Sequence, residues 1–277
     1  MTKKVALVTG CGKQDGIGAA IARKLAAAGC ALVVVDVEAT GVRDSHEPAG
    51  AAAAGWRGVE SLVEELGAAG AEASFVTGDI SSETDVARIV AHARSAHGSL
   101  DILVNNAGAP FSMGHGDVET VEPDAFDRVM SINVRGTFLM GRAAAGIMRA
   151  NRWGRIVNVA SVAGRQGSRL NSAYAASKAG VIALAQTWAL ELGPDGVTCN
   201  SVLPGLIITS RTLSGYAKKT GSADADMETV RKAMGVPPVG RAGTPEDVAE
   251  AVAYLASEGA GFVNGQSLII DGGAYRI

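Results

Sequence analysis

The sequence predicts an α/β protein: a doubly wound parallel sheet of about seven strands, with helices on both faces, in a single domain. Three observations carry this prediction. Short, wholly apolar runs such as Val5-Ala6-Leu7-Val8 and Ala31 to Val35 recur along the chain, as strands buried on both faces require. Stretches of helical character separate them, so each strand is followed by a crossover. The first crossover starts in a glycine-rich loop, residues 10–18, and the strand after it ends in an acid, Asp36.

Taken in order, Val5 to Val8 forms the first strand, and Ala19 to Ala28 is an alanine-rich helix closed by Gly29. Ala31 to Val35 is the second strand. Residues 40–58, TGVRDSHEPAGAAAAGWRG, form an irregular insertion with room for a helical turn over Ala51–Ala54. It is read as a surface loop, or more weakly as a flap over the adenosine end of a bound ligand. Val59 to Ala69 is an amphipathic helix, and Ala73 to Thr77 the third strand. The next helix runs from Ser82 to His97, capped by Ser81 or Ser82, with Glu83 and Asp85 in its first turn. Asp101 to Val104 is a fourth strand and Arg155 to Ala160 a fifth. Between them lies a helical pattern from Glu122 to Ala150, with Asn133 inside it as an anomaly whose amide must find partners. Ser172 to Glu191 is helical, Val197 to Leu203 the sixth strand, and residues 206–236 a mixed stretch read as a substrate lid. Thr244 caps a helix that has Pro245 at its first position, and Ser267 to Ile270 is a final short strand.

Composition narrows the function. Of 277 residues, 47% are hydrophobic, enough for a sizeable core, while 4% aromatics argue against binding by ring stacking. A net charge of −3 gives no basic footprint for nucleic acid. No apolar run is long enough to span a bilayer. Cys11, Cys30 and Cys199 are odd in number and widely spaced, which fits a reduced, cytoplasmic protein and neither a disulfide framework nor a zinc site. The four histidines form no ligand cluster, so no metal is expected.

The loop Gly10-Cys11-Gly12-Lys13-Gln14-Asp15-Gly16-Ile17-Gly18 sits between a buried strand and a helix. Glycines there let the backbone turn tightly and approach a pyrophosphate resting on the helix N-terminus. Asp36 can accept hydrogen bonds from both hydroxyls of an adenosine ribose and repels a 2′-phosphate. That favours NAD over NADP, as does the acid Asp15 before Gly16. Later, Tyr174 and Lys178 lie four residues apart and share one helix face, and Ser161 follows a strand. A phenol, an ammonium and a hydroxyl brought together make a proton-transfer site. The ammonium favours the phenolate of an otherwise poor base, and the serine hydroxyl steadies charge on a substrate oxygen.

These residues resemble the short-chain dehydrogenase/reductases over essentially the whole chain. The matching motifs are Thr9-Gly10 with Gly16-Ile17-Gly18, Asp79, Asn105-Asn106-Ala107-Gly108, Asn133, Ser161, Tyr174-Ala175-Ala176-Ser177-Lys178, Pro204-Gly205 with Thr209, and Asp271-Gly272-Gly273. The resemblance implies a Rossmann-like domain, hydride transfer to or from a nicotinamide, and a homotetramer, with a dimer as the alternative. It assigns catalysis to Asn133, Ser161, Tyr174 and Lys178, with Asn133 joined to Lys178 through a water. It places the cofactor against Gly10, Asp15, Gly16, Ile17, Gly18, Asp36, Val37, Asp79, Ile80, Asn106, Ala107, Gly108, Tyr174, Lys178, Pro204, Gly205, Ile207 and Thr209. Two departures stand out. Five residues separate Gly10 from Gly16 where the family has three, so either the loop is longer or Gly12 takes the first glycine's place. The 40–58 insertion is also longer than in most members.

The expected activity is therefore NAD-dependent interconversion of a secondary alcohol and a ketone. A 3-oxoacyl-carrier reductase, or a non-catalytic NAD(H)-binding regulator, are the alternatives. Arg165, Arg169, Arg211, Lys218 and Lys219 either receive an acidic substrate or form a solvated face, and His115 sits in a loop that either borders the substrate or, the favoured reading, is exposed to solvent.

Overall fold

The computed structural model describes residues 3–42, 54–109, 113–220, 229–230 and 235–275. Seven strands form one sheet: β1 (Val5–Thr9), β2 (Ala31–Asp36), β3 (Ala73–Thr77), β4 (Ile102–Asn105), β5 (Gly154–Val159), β6 (Val197–Pro204) and β7 (Ser267–Ile270). All pair in parallel, in the order β3-β2-β1-β4-β5-β6-β7. The chain reverses its direction of travel across the sheet between β1 and β4, which opens a crevice at the carboxyl ends of those strands.

Side-chain alternation divides the core in two. From β1 and β2, Ala6, Val8, Leu32 and Val34 face one side and Leu7, Val33 and Val35 the other. Helices α1 (Ile17–Ala27) and α2 (Val59–Ala68) cover the first face through Ile21, Leu25 and Leu62. The second face meets α3 (Glu83–His97) through Ile89. Ser82 caps α3 by accepting the Asp85 N–H, and Gly98 closes it in the left-handed conformation that glycine adopts without strain.

The helical pattern predicted over Glu122 to Ala150 is not one α-helix. It is α4 (Pro123–Met130), a π-helical turn (Ser131–Arg135) and α5 (Gly136–Asn151). A π-turn holds one residue more than an α-turn and commonly marks a functional site. Here it carries Asn133, only 1% exposed, whose amide must be satisfied off the helix. Two further helices flank the fifth strand's product: α6 (Ala163–Gln166), which the sequence did not announce, and α7 (Ser172–Leu192).

Past β6, α8 (Ser210–Thr220) occupies the first part of the stretch read as a lid. Helix α9 (Pro245–Ala256) begins as predicted, with Pro245 in its first turn and the Asp247 carboxylate accepting the Thr244 N–H at 2.8 Å. It packs with α1 on the first core face through Val248, Val252 and Leu255. The helical turn expected over Ala51–Ala54 falls largely outside the described residues. The far end of that insertion is anchored by Trp56, whose indole N–H donates to the Gly12 carbonyl at 3.0 Å.

Candidate active site

One cavity of about 1110 Å³ opens at the β1–β4 crevice and runs from Asp36 and Val37 at one end to Ser161, Tyr174 and Lys178 at the other. Every residue expected to hold the cofactor lines it except Gly18, which lies beneath the loop. The volume suits a ligand of dinucleotide size.

Local backbone chemistry builds the adenosine end. Gly10 leaves β1 with φ 75°, and a Cβ on Gly18 would stand 2.2 Å from the Gly10 carbonyl oxygen, so neither position accepts a side chain. Gly16 is the N-cap of α1. Gly10 and Gly18 thus meet in close contact where the chain passes from β1 into α1. Gly12 is buried too, a Cβ there standing 2.3 Å from the Gly41 nitrogen, and it donates its N–H to Asp36 at 2.8 Å. The other Asp36 oxygen accepts the Val37 N–H at 2.8 Å. Burial raises the Asp36 pKa, and these two backbone donors partly offset the rise.

Three expected cofactor residues already have structural partners. Asp79 accepts from the Ser81 N–H and hydroxyl and from Arg128. Burial opposes its charge, but these donors outweigh it and hold its pKa below the usual carboxylate value. Asn106 donates to the carbonyls of Thr9 (2.8 Å) and Gly10 (3.0 Å), locking the end of β4 to the end of β1. Asp15 reaches across the groove to α8, accepting the Ser210 N–H and, at 2.9 Å, its hydroxyl.

At the other end, β5 delivers Ser161 and one face of α7 delivers Tyr174 and Lys178. The Ser161 hydroxyl oxygen accepts the Ala163 N–H at 3.2 Å, and the serine faces Tyr174 closely enough to favour its phenolate. Burial pushes the Tyr174 phenol up, while the Ser161 hydroxyl and the charge of Arg211 pull it down. Lys178 is not among the groups that shift the phenol here. The Lys178 ammonium donates to the Val159 carbonyl at 2.7 Å and stands 5.7 Å from the centre of the Tyr174 ring. Its own pKa falls to about 8, mainly through burial and secondarily through Arg211.

Asn133 does not line the cavity. Its Oδ1 accepts the Ala109 N–H at 2.7 Å and its Nδ2 donates to the Ser177 hydroxyl at 2.9 Å, which in turn donates to the Tyr174 carbonyl. Gly108 fits between: a Cβ there would lie 3.2 Å from Asn133 Oδ1 and 3.8 Å from Lys178 Nζ. The asparagine side chain is thus committed to holding α7 and the β4 loop together.

Arg169 and Arg211 line the cavity and Arg165 does not. His115 is half-buried in the cavity wall, which agrees with its reading as a residue bordering the substrate and not with solvent exposure. Met113, Leu170, Tyr216 and Tyr275 also line it. Sequence reasoning did not single these out. Leu170 has φ 64°, rare for a branched side chain, and its carbonyl accepts the Gly116 N–H. No sequence signal marks such a turn. Among the described residues there is no cluster of metal-ligating side chains, and no helix is long and apolar enough to cross a membrane.

Comparison with known proteins agrees with this geometry. A family model described as enoyl-(acyl carrier protein) reductase matches residues 10–275. The short-chain dehydrogenase/reductase eriH of Hericium erinaceus is 37% identical over 276 residues, 99% of each chain. The chain is a short-chain dehydrogenase/reductase. The 2-(S)-hydroxypropyl-CoM dehydrogenase 3 of Xanthobacter autotrophicus is 34% identical, covering 100% of this chain and 98% of its own. Levodione reductase superposes with a TM-score of 0.83 at 33% identity, over 98% of this chain and 97% of that one. This short-chain dehydrogenase/reductase is thus an oxidoreductase of a family that uses nicotinamide cofactors.

Proposed function

We propose that the enzyme transfers a hydride between NAD(H) and a secondary alcohol or ketone. The observation that carries this reading is a single cavity with an acid at one end and a serine–tyrosine–lysine cluster at the other. Asp36 would accept the adenosine ribose hydroxyls and repel a 2′-phosphate, hence NAD. Gly10, Gly16, Ile17 and Gly18 would form the diphosphate cradle, with Thr209 and Ile207 against the carboxamide. The nicotinamide, when bound, supplies or accepts the hydride.

The protein's own contribution is proton management. Tyr174 takes the alcohol proton during oxidation and returns it during reduction. Ser161, beside Tyr174, holds the substrate oxygen and steadies its charge. Lys178 keeps a positive charge beneath the phenol and bonds the nicotinamide ribose. Asn133, in its π-turn, positions Lys178 and Tyr174 through Ser177 and borders a water path to solvent. Helix α8 serves as part of a substrate lid.

The protein would act in the cytoplasm, where its three free, buried cysteines stay reduced. It would do so as a homotetramer, a reading favoured by the exposed Leu190 and Phe262. A panel of secondary alcohols and ketones, including 3-hydroxyacyl thioesters, scored by NADH absorbance with NADPH in parallel, tests the activity. Turnover confined to NADPH, or no turnover on any member, would count against it.

A further inference from the structure

Arg211 is one of the cavity cations that the proposed chemistry does not use. Its place is set by a contact spanning most of the chain. Asp15, the residue before the N-cap of α1, holds the first residue of α8 by both the Ser210 N–H and hydroxyl. Arg211 comes next, and its guanidinium reaches the Gly108 carbonyl beyond β4 at 3.4 Å. The side chain therefore lies across the groove, from the start of α1 to the end of β4. Asp36 and the Tyr174–Lys178 cluster line the same cavity.

Its electrostatics agree with that place. The same guanidinium stabilises the Asp36 carboxylate and the Tyr174 phenolate and destabilises the Lys178 ammonium, so its charge is felt at both ends of the cavity. Among the described residues it has no carboxylate partner. Arg23, Arg128, Arg135, Arg149 and Arg241 all do. Its one hydrogen bond is long and goes to a neutral oxygen, a weak use of a forked cation. Arg211 and Lys178 are thus like charges in the lining of one cavity, and each is felt by the other.

We propose that Arg211 is a cofactor-binding residue carried by the lid helix, its guanidinium pairing with the bridging diphosphate of the nicotinamide dinucleotide. This rests on the reading of the cavity as a dinucleotide site. The fork of donors suits a phosphate pair, and the diphosphate is the anionic part of such a ligand that falls between its two riboses. Because Asp15 ties α8 to the glycine loop, cofactor binding and lid position become one event.

The test is calorimetric titration of wild type, Arg211→Gln and Arg211→Lys with NADH, ADP-ribose and adenosine. ADP-ribose carries the diphosphate but no nicotinamide and no alcohol, so its binding is independent of turnover. Arg211→Gln should weaken ADP-ribose and NADH alike by roughly 10- to 100-fold, the range for a lost charge-assisted bond. Arg211→Lys should recover part of that loss. Adenosine should bind all three proteins equally, which also shows that the groove is folded. Unchanged ADP-ribose affinity in Arg211→Gln overturns the inference, most directly if the KM of an anionic alcohol rises instead. Wild-type protein that binds no dinucleotide overturns the underlying reading, and the inference with it.

Discussion

Replacing Lys178 by Met should change how stability depends on pH. Lys178 is 6% exposed, and its pKa drops from the ordinary 10.5 to about 8. The unfolded chain keeps the lysine proton up to its ordinary value, whereas the native protein sheds it near 8. Between those values the unfolded state binds more protons, so stability rises with pH across that window. Below pH 8 both states are protonated and the full penalty of the buried ammonium is present. At about 1.4 kcal/mol per pH unit, that penalty is on the order of 3 kcal/mol. Met removes the titration. It also strands the Val159 carbonyl, but by the same amount at every pH. In urea unfolding at matched protein concentration, wild type should gain about 2 kcal/mol relative to Lys178→Met between pH 7 and pH 9.5, most of the window. A difference that stays constant to within about 0.5 kcal/mol would refute the claim that burial destabilises this ammonium.

Other outcomes follow from the same geometry. Tyr174→Phe should abolish turnover and leave NADH binding nearly intact, read by steady-state assay and fluorescence titration; substantial residual activity would contradict the general acid–base assignment. NADH affinity should fall as pH drops through the raised Asp36 pKa, since protonation removes an acceptor for the ribose, and Asp36→Ala should flatten that profile. Asn133→Ala strands the Ala109 N–H and takes away the donor to the Ser177 hydroxyl, so unfolding free energy should fall by about 1–3 kcal/mol. In that variant kcat should fall more than KM, because the groups it positions act in the chemical step.

Strands β1, β2 and β4 were legible because they are buried on both faces and so read as apolar runs, and the half-exposed edge strand β3 was recovered to the residue from its β-forming ASFVT. Tyr174 and Lys178 were legible because their relation is local: four residues on one helix fix a shared face. Asp36 was legible because it ends an apolar run. What escaped the sequence depends on contacts between distant segments. The amide of Asn133 looked like a defect in a helix, yet its partners, Ala109 and Ser177, lie 24 and 44 residues away and accompany a π-turn. Asp15 read as a feature of cofactor preference because nothing local reveals Ser210, 195 positions on. The positive φ of Leu170 is a tertiary outcome that a leucine does not advertise.

The tie between Asp15 and Ser210 also bears on how the enzyme is made. The glycine loop, β2 and Asp36 are complete within the first 36 residues to leave the ribosome, yet the groove they border gains its far wall from residues past 200. Closing so long a loop is slow, because the entropy of joining its ends is lost before any contact rewards it. A nascent chain would therefore carry a half-built nucleotide site for most of its synthesis and bind nothing tightly. Cofactor capture then comes last, and because a ligand that binds only the native state stabilises it, arrival of the dinucleotide would secure the fold once the final third is in place.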